Sequence, residues 1–201
     1  RNVILNAMPE WAADVAQFDE MGNMWVEFGP VGQATVFLAH MDEVGYEVES
    51  IDADGVVNLA RLGGVVSTAW EGQPALLQLD PFINLASQAQ APSLRGVFNT
   101  RSSPEIKQAA AVTAWFGMDA ERLAAAGVRI GMGVTGYKEG HRMGSYRYSS
   151  RSLDDRVGTT SLLMALNQIN PAEITSRLIF AWTVREEGGL LGAAAMAEAV
   201  G

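Results

Sequence analysis

The chain has 201 residues, of which 48% are hydrophobic and 18% are charged, and its formal net charge is −9. This composition predicts a packed core and excludes wholesale disorder, and the acidic balance argues against nucleic acid or an anionic membrane as the main partner. Because the chain has no cysteine, disulfides and thiolate metal sites are excluded, and any metal must be bound by His, Asp and Glu.

The first part of the chain predicts a short helix followed by two strands. Residues 1–10 are typical of the end of an amphipathic helix that closes at a proline. Residues 24–28 and 34–39 are apolar β runs separated by a Gly-Pro turn, so a hairpin is the simplest interpretation of the pair. The second run ends at His40, and Asp42 follows two positions later.

The middle of the chain predicts a β-rich insertion. Strands are expected at 46–51, 56–61, 75–79 and 94–98. Short strands with turn signals between them suggest a small β-barrel or sandwich. One helix, 118–126, interrupts the series and ends at Gly127, and the remainder of the polar segment 87–107 is expected to be a surface loop.

The end of the chain predicts α/β structure again. Asp154 and Asp155 lead into a helix whose leucines recur at helical spacing. An apolar strand, 178–184, follows and leads to Glu186 and Glu187, after which a final helix of small residues begins. Buried strands that alternate with helices in this way indicate an α/β arrangement.

We therefore expect an α/β fold in which a mixed-sheet domain is interrupted by a β-barrel-like insertion domain. The α/β domain comprises 1–47 and 149–201, and the insertion comprises 48–148. The chain opens within a predicted helix that has no N-cap and stops directly after another helix, so we expect both ends to be cuts in a longer protein. The sequence shows neither a signal peptide nor the ~20 apolar residues of a membrane-spanning helix. The lack of cysteine then favours a cytoplasmic location.

Three loops that carry acidic residues form the candidate site. Two of them, at His40 and at the glutamate pair, follow strand ends, where ligands bind in open α/β sheets. Each loop alone has an ordinary explanation as a surface pair, a helix cap or a solvated connection. Together they supply one imidazole and three carboxylate clusters, which is half of a two-metal site. A glutamate that does not bind metal could carry a proton in such a site.

Three motifs in this chain resemble, in order, those of the tetrahedral (glutamyl/leucyl) aminopeptidases, which are dinuclear metallo-aminopeptidases. The motifs are AHMDEVGY at 39–46, LDDRVG at 153–158 and TVREEGGLLGA at 183–193. Asp19 and the Gly22-Asn23 pair also match the segment that precedes the first motif. The resemblance implies an α/β peptidase domain interrupted by a β-barrel-like dimerisation domain. It also implies homo-oligomers, first dimers and then tetrahedral dodecamers.

The resemblance assigns roles to individual residues by position. The implied metal ligands are His40, Asp154, which would bridge two ions, and Glu187. Glu186 would be the catalytic general base, and Asp42 would be the catalytic residue that orients His40.

The resemblance also implies the cofactor. Asp155 would lie behind the bridging aspartate without binding metal. The cofactors would be two divalent metal ions, zinc first, with cobalt and manganese as alternatives. The family has two further ligands, an Asp and a late His, which would follow Gly201. We therefore expect the chain to be a truncated copy whose activity on its own is open.

The expected function is metal-dependent removal of N-terminal residues from peptides by a water that a dinuclear centre activates. Peptides and further copies of the chain are the expected partners, without nucleic acid or membrane. One alternative is a non-catalytic assembly subunit built on the same fold. Another is a glycoside hydrolase with two carboxylates, which the acids allow but which leaves His40 and Asp42 without a role.

Overall fold

The computed structural model describes residues 1–79, 93–101 and 112–200. The chain divides into two compact units. Unit 1 comprises Arg1–Glu43 and Ser152–Gly201, and unit 2 comprises Val44–Arg151. Within the described ranges, the structure has no helix that is both long enough and apolar enough to span a bilayer.

The helices and strands of the described residues alternate in chain order as follows. They are α1 (Asn2–Ala7), α2 (Glu10–Ala13), β1 (Gln17–Phe18), β2 (Met24–Phe28), β3 (Ala34–His40), β4 (Gly45–Ile51), β5 (Val56–Leu62), β6 (Pro74–Gln78), β7 (Ser93–Phe98), β8 (Val112–Trp115), α3 (Ala120–Ala125), β9 (Gly133–Gly136), β10 (His141–Met143), β11 (Arg147–Ser149), α4 (Leu153–Leu166), β12 (Arg177–Thr183) and α5 (Leu191–Val200).

Unit 1 contains a mixed sheet in the order β1-β2-β12-β3. Strand β12 runs antiparallel to β2 and parallel to β3. The predicted hairpin between the strands at 24–28 and 34–39 is therefore wrong, because β12 lies between them. Since β12 is apolar on both faces and its residues from Ile179 to Thr183 are all buried, it needs a neighbour on each side and a covering layer on each face.

Helices cover both faces of this sheet. On one face Trp182 and Phe180 pack with Leu166 of α4 and with apolar residues of α1 and α2. On the other face Ile179 packs with Met196 of α5. Burying a large apolar side chain of this kind contributes roughly 1.5–3 kcal/mol relative to leaving it exposed. The sheet is therefore fixed between two layers of helices.

Unit 2 is a closed barrel of six strands in the order β4-β5-β8-β7-β6-β9. Its core includes Tyr46, Val48 and Phe98, which are at most 1% exposed. The expected α/β fold with a barrel-like insertion is confirmed. Helix α3 begins at Ala120, two positions after the start of the predicted helix, because the Asp119 side chain caps it by accepting the Arg122 N–H at 2.9 Å.

The predicted strand at 94–98 is confirmed as β7, which interrupts the segment 87–107 that was otherwise expected to be a loop. Residues 87–92 and 102–107 of that segment lie outside the described residues. Within β7, Gly96 lies so close to β8 that a Cβ atom would be 2.4 Å from the Trp115 carbonyl oxygen. A side chain at this position would therefore separate the two strands.

Candidate functional site

The candidate site lies in unit 1 at the carboxyl ends of β3 and β12. These strands are parallel neighbours, and His40 is opposite Thr183 in their register. The Met41 N–H donates to the Thr183 carbonyl at 2.7 Å, which extends the pairing by one residue. The loop that carries Asp42 and the loop that carries the glutamate pair therefore leave the sheet at the same edge.

His40 is the buried centre of the site, with 7% of its surface exposed. Its Nδ1 lies 3.1 Å from the Asp42 carbonyl oxygen and 3.6 Å from Oδ1 of the same residue. On the other side of the ring, Nε2 lies 2.9 Å from Oδ1 of Asp154 and 3.7 Å from Oε2 of Glu186. The imidazole is thus surrounded by acceptors.

This arrangement determines where protons can lie on the ring. A carbonyl oxygen only accepts, so the Nδ1–H donates to Asp42. A carboxylate also only accepts, so its close approach to Nε2 requires a proton or a cation between the two atoms. Burial opposes the charged ring, but the hydrogen bond to Asp154 and the charges of Glu186 and Asp42 outweigh it and raise the pKa of His40.

Glu187 shows the same excess of negative charge. Its pKa is raised, first by burial and then by the neighbouring charge of Glu186, with smaller contributions from Asp154 and Asp42, while His40 opposes the shift. Carboxylates that crowd together in a partly buried site favour protonation of one of them, or a cation among them. A divalent ion would offset this repulsion.

The donor atoms fit such an ion. His40, Glu186 and Glu187 each offer one ligand atom, and these atoms lie within 4.8 Å of one another. One imidazole nitrogen with carboxylate oxygens suits zinc, cobalt or manganese. Asp154, predicted to be a bridging ligand, contacts the His40 ring but is not part of this group, and its side chain is 88% exposed. The structure therefore brings together His40 and both glutamates, with Asp154 at the open side.

Asp42 connects the two loops. Its Oδ1 accepts the Glu186 backbone N–H at 3.1 Å, and its Oδ2 accepts the Glu187 N–H at 3.2 Å. Hydrogen bonds from N–H groups to a carboxylate are stronger than those to a neutral acceptor. Asp42 therefore positions the backbone of both glutamates as well as lying beside the His40 ring, and the sequence indicated only the second contact.

Asp155 lies behind His40. Its Oδ2 accepts the His40 backbone N–H at 3.4 Å, and its Oδ1 accepts the Gly158 N–H at 2.8 Å. The Thr159 hydroxyl donates to the His40 carbonyl at 3.1 Å. The start of α4 is thus tied to the end of β3. The sequence placed Asp155 behind Asp154, and the structure adds these bonds to the backbone of His40.

The loop of the glutamate pair is held in an uncommon backbone conformation. Arg185 has φ of 57° and Leu190 has φ of 62°, so a residue with a side chain adopts the left-handed region just before the pair and again at the end of the loop. Such residues cost about 1–3 kcal/mol each and persist only where their surroundings determine them. The Leu190 N–H donates back to the Glu186 carbonyl at 2.9 Å, which closes the loop on itself.

A cleft of about 460 Å³ opens beside His40. Ile4 and Leu163 contribute apolar walls, and Asp42 and Asp155 contribute acidic groups. The cleft offers space next to the imidazole for an apolar group whose neighbour carries positive charge.

Asn23 has no role in the sequence analysis beyond its match to a motif. It is fully buried between Gly22 and the start of β2. A buried amide must have hydrogen-bond partners, so a polar residue at the start of an apolar strand was the available signal. Its partners belong to the loop of the glutamate pair.

Comparisons with known proteins agree on one family. The sequence pattern of the M42 glutamyl aminopeptidases matches residues 22–201. The lysyl aminopeptidase of Pyrococcus furiosus is 24% identical over 200 residues, which cover 96% of this chain and 55% of that protein.

Solved structures agree as well. The aminopeptidase APDkam598 of Desulfurococcus kamchatkensis has a TM-score of 0.82 at 25% identity, over 99% of this chain and 54% of that one. The TET1 peptidase of Pyrococcus horikoshii, described as able to assemble into a tetrahedron or a large octahedral shell, has a TM-score of 0.80 at 25% identity, over 98% of this chain and 58% of that one. The chain thus spans about half the length of the relatives it matches.

Proposed function

Because the chain belongs to the M42 glutamyl aminopeptidase family, we propose that this protein is a metal-dependent aminopeptidase that removes N-terminal residues from peptides. The observation that carries the proposal is the group of His40, Glu186 and Glu187, whose ligand atoms lie within 4.8 Å of one another at the carboxyl ends of two parallel strands. The names of the matched relatives support the choice of peptides as substrates.

The proposed metal ligands are His40 and Glu187, with Asp154 as the group that bridges two ions. His40 suits this role because its Nδ1–H is engaged by the Asp42 carbonyl, which leaves Nε2 to face the carboxylates. When bound, divalent ions, with zinc the first choice, would supply Lewis-acid activation of a water and polarisation of the substrate carbonyl.

Glu186 is the proposed general base. Its side chain is one-third exposed, and its Oε2 lies 3.7 Å from His40 Nε2, so it is next to the proposed ligands and open to solvent. Its carboxylate takes a proton from the attacking water as the new C–O bond forms. It returns that proton to the leaving amine as the peptide C–N bond breaks.

Asp42 and Asp155 would keep this arrangement in register. Asp42 holds the backbone of the glutamate pair and lies against the His40 ring. Asp155 holds the His40 backbone from the other side. Ligands that arrive from two strands and one helix are thereby fixed relative to one another, as a site for a metal of defined geometry requires.

Unit 2 is the proposed dimerisation domain, and we propose that copies of the protein assemble into homo-oligomers. The domain boundaries at 47/48 and 148/149, and a cytoplasmic location, belong to the same proposal. The shell-forming TET1 peptidase of Pyrococcus horikoshii supports the assembly.

The test combines metal analysis with a peptidase assay. We expect the purified protein to bind zinc tightly and to hydrolyse aminoacyl chromogenic substrates. We expect a strong chelator to abolish this hydrolysis and added zinc, cobalt or manganese to restore it. Undiminished hydrolysis after complete metal removal would contradict the mechanism. Less than one tightly bound ion per chain, without hydrolysis, would favour the alternative of a non-catalytic assembly subunit.

A further inference from the structure

We propose that Asn23 is a positioning residue that holds the loop of Glu186 and Glu187 at both of its ends. The inference rests on the proposed function, because its consequence is the placement of two candidate metal-site carboxylates. Asn23 lies outside that site and acts on it through the backbone.

The side chain of Asn23 bonds to both ends of the loop. Its Oδ1 accepts the Val184 N–H at 3.0 Å, where the chain leaves β12. Its Nδ2 donates to the Gly192 carbonyl at 2.9 Å, where α5 begins. One amide thus links the residue that enters the loop to the first turn of the helix that follows it.

Asp19 fixes the orientation of this amide. Its Oδ2 accepts a second hydrogen bond from Asn23 Nδ2 at 2.6 Å, and its Oδ1 accepts the backbone N–H groups of Gly22 and Asn23 at 2.8 Å each. A carboxylate can only accept, so the NH₂ group of Asn23 must face Asp19. The oxygen of the amide is then left for the Val184 N–H.

The backbone is shaped to let these groups meet. A Cβ atom on Gly192 would lie 1.9 Å from the Val184 carbonyl oxygen and 2.7 Å from Asn23 Oδ1. The two ends of the loop therefore approach each other at a position where only glycine fits. The amide spans the closest point between strand and helix.

The loop needs such a tie because of its strain. Its left-handed residues, Arg185 and Leu190, are not glycines, and conformations of this kind persist only where the surroundings fix them. Without Asn23 the buried Val184 N–H and Gly192 carbonyl lose their partner, and the loop can relax. Asp42 alone would then hold the glutamate pair. Small displacements of positioned groups are sufficient to weaken a site.

The experiment compares Asn23→Ala with Leu166→Ala. Leu166 is fully buried in unit 1 but packs on the opposite helical layer, so its substitution lowers stability without touching the loop. Two quantities are measured under conditions where both variants are folded. The first is hydrogen exchange at the backbone amides of 184–191, and the second is Zn²⁺ affinity by calorimetry. We expect Asn23→Ala to speed exchange in this loop at least about tenfold and to weaken Zn²⁺ binding by roughly 10–100-fold. We expect Leu166→Ala to leave the affinity within about twofold.

A donor–acceptor swap provides the rescue. Asn23→Asp puts a carboxylate against both Asp19 and the Gly192 carbonyl, so it should be as damaging as alanine. Adding Asp19→Asn restores a donor between positions 19 and 23, and we expect the double variant to recover slow loop exchange and part of the Zn²⁺ affinity. The double variant also keeps the test valid if Asn23→Ala does not fold.

The outcomes separate this inference from the proposed function. Unchanged loop exchange in Asn23→Ala, or an equal loss of Zn²⁺ affinity in Leu166→Ala, would overturn the positioning role. So would a double variant that recovers neither quantity. If the unmodified chain binds no Zn²⁺, the proposed metal site is wrong, and hydrogen exchange alone then decides whether Asn23 holds the loop.

Discussion

Asp42 holds the backbone of Glu187, because its Oδ2 accepts the Glu187 N–H at 3.2 Å. The other oxygen of the same carboxylate accepts the Glu186 N–H and lies 3.6 Å from Nδ1 of His40. One side chain at the end of β3 therefore sets the position of groups that follow β12. The two halves of the candidate metal site are joined by this carboxylate rather than by the sheet alone.

Substitution of Asp42 should therefore weaken the metal site without removing a ligand. In Asp42→Asn, an NH₂ group would face one of the two backbone N–H groups, so that one of them loses its acceptor. We expect Zn²⁺ affinity to fall roughly 10–100-fold, measured by calorimetry at constant pH. Asp54→Asn, on an exposed turn of the barrel, is the matched control and should bind Zn²⁺ like the unmodified chain. Equal affinities for all three proteins would show that Asp42 does not position the ligands.

The two glutamates should separate into a base and a ligand. Glu186→Gln removes the proposed proton acceptor, and we expect the rate of peptide hydrolysis to fall by roughly 10²–10⁴-fold while Zn²⁺ affinity stays within about threefold. Glu187→Gln should reduce Zn²⁺ affinity as well as the rate, because an amide oxygen is a weaker ligand than a carboxylate. The measurements are a chromogenic peptidase assay and zinc titration of both variants. Loss of Zn²⁺ binding in Glu186→Gln alone would exchange the two roles.

The strands could be predicted from the sequence far better than their neighbours could. Alternation and turn signals located the strands at 24–28 and 56–61, because these patterns are local. The pairing of the first of them was wrong, since a Gly-Pro turn indicated a hairpin and the structure inserts β12 there. Pairing depends on which strand can bury both faces, and the strand that does so is distant in the chain.

The candidate site divides in the same way. Its acids were recognisable because they follow strand ends or precede a helix, and the resemblance to the tetrahedral aminopeptidases, confirmed by the family match, supplied their proposed roles. Asn23 escaped notice because its partners Val184 and Gly192 are 161 and 169 residues away. The bonds from Asp42 to the glutamate backbone were equally invisible, since a carboxylate on one loop carries no sign of which amides it will meet.

Gly192 should resist replacement by alanine although it lies in a helix. Alanine in a helix interior is normally more stable than glycine by about 1 kcal/mol. Here the added Cβ would lie 1.9 Å from the Val184 carbonyl oxygen, so α5 or the loop must shift. We expect Gly192→Ala to lower the free energy of unfolding by roughly 1–3 kcal/mol, measured by urea denaturation. Gly64→Ala is the control, because no atom lies within 4 Å of a Cβ at that position. A variant at 192 that is as stable as the control would show that helix and loop do not pack this closely.

Tyr46 should make the stability of the barrel depend on pH in the alkaline range. It is fully buried and packs against the rings of Trp70 and Phe98, and burial raises its pKa above the ordinary value of 10.0. As pH rises past the unfolded value, the unfolded chain loses this proton first. Unfolding is then accompanied by proton release, and the free energy of unfolding falls with further increase in pH.

In Tyr46→Phe this titration is absent, so we expect its stability to fall less steeply between about pH 9 and about pH 11 than that of the unmodified chain. Denaturation curves at several pH values measure the difference in slope, which also cancels the contribution of other groups that titrate there. Tyr148→Phe is the control, since Tyr148 is 58% exposed in the folded chain and its hydroxyl meets water in both states. Parallel curves for the unmodified chain and Tyr46→Phe would mean that the Tyr46 hydroxyl ionises as readily in the barrel as in the unfolded chain.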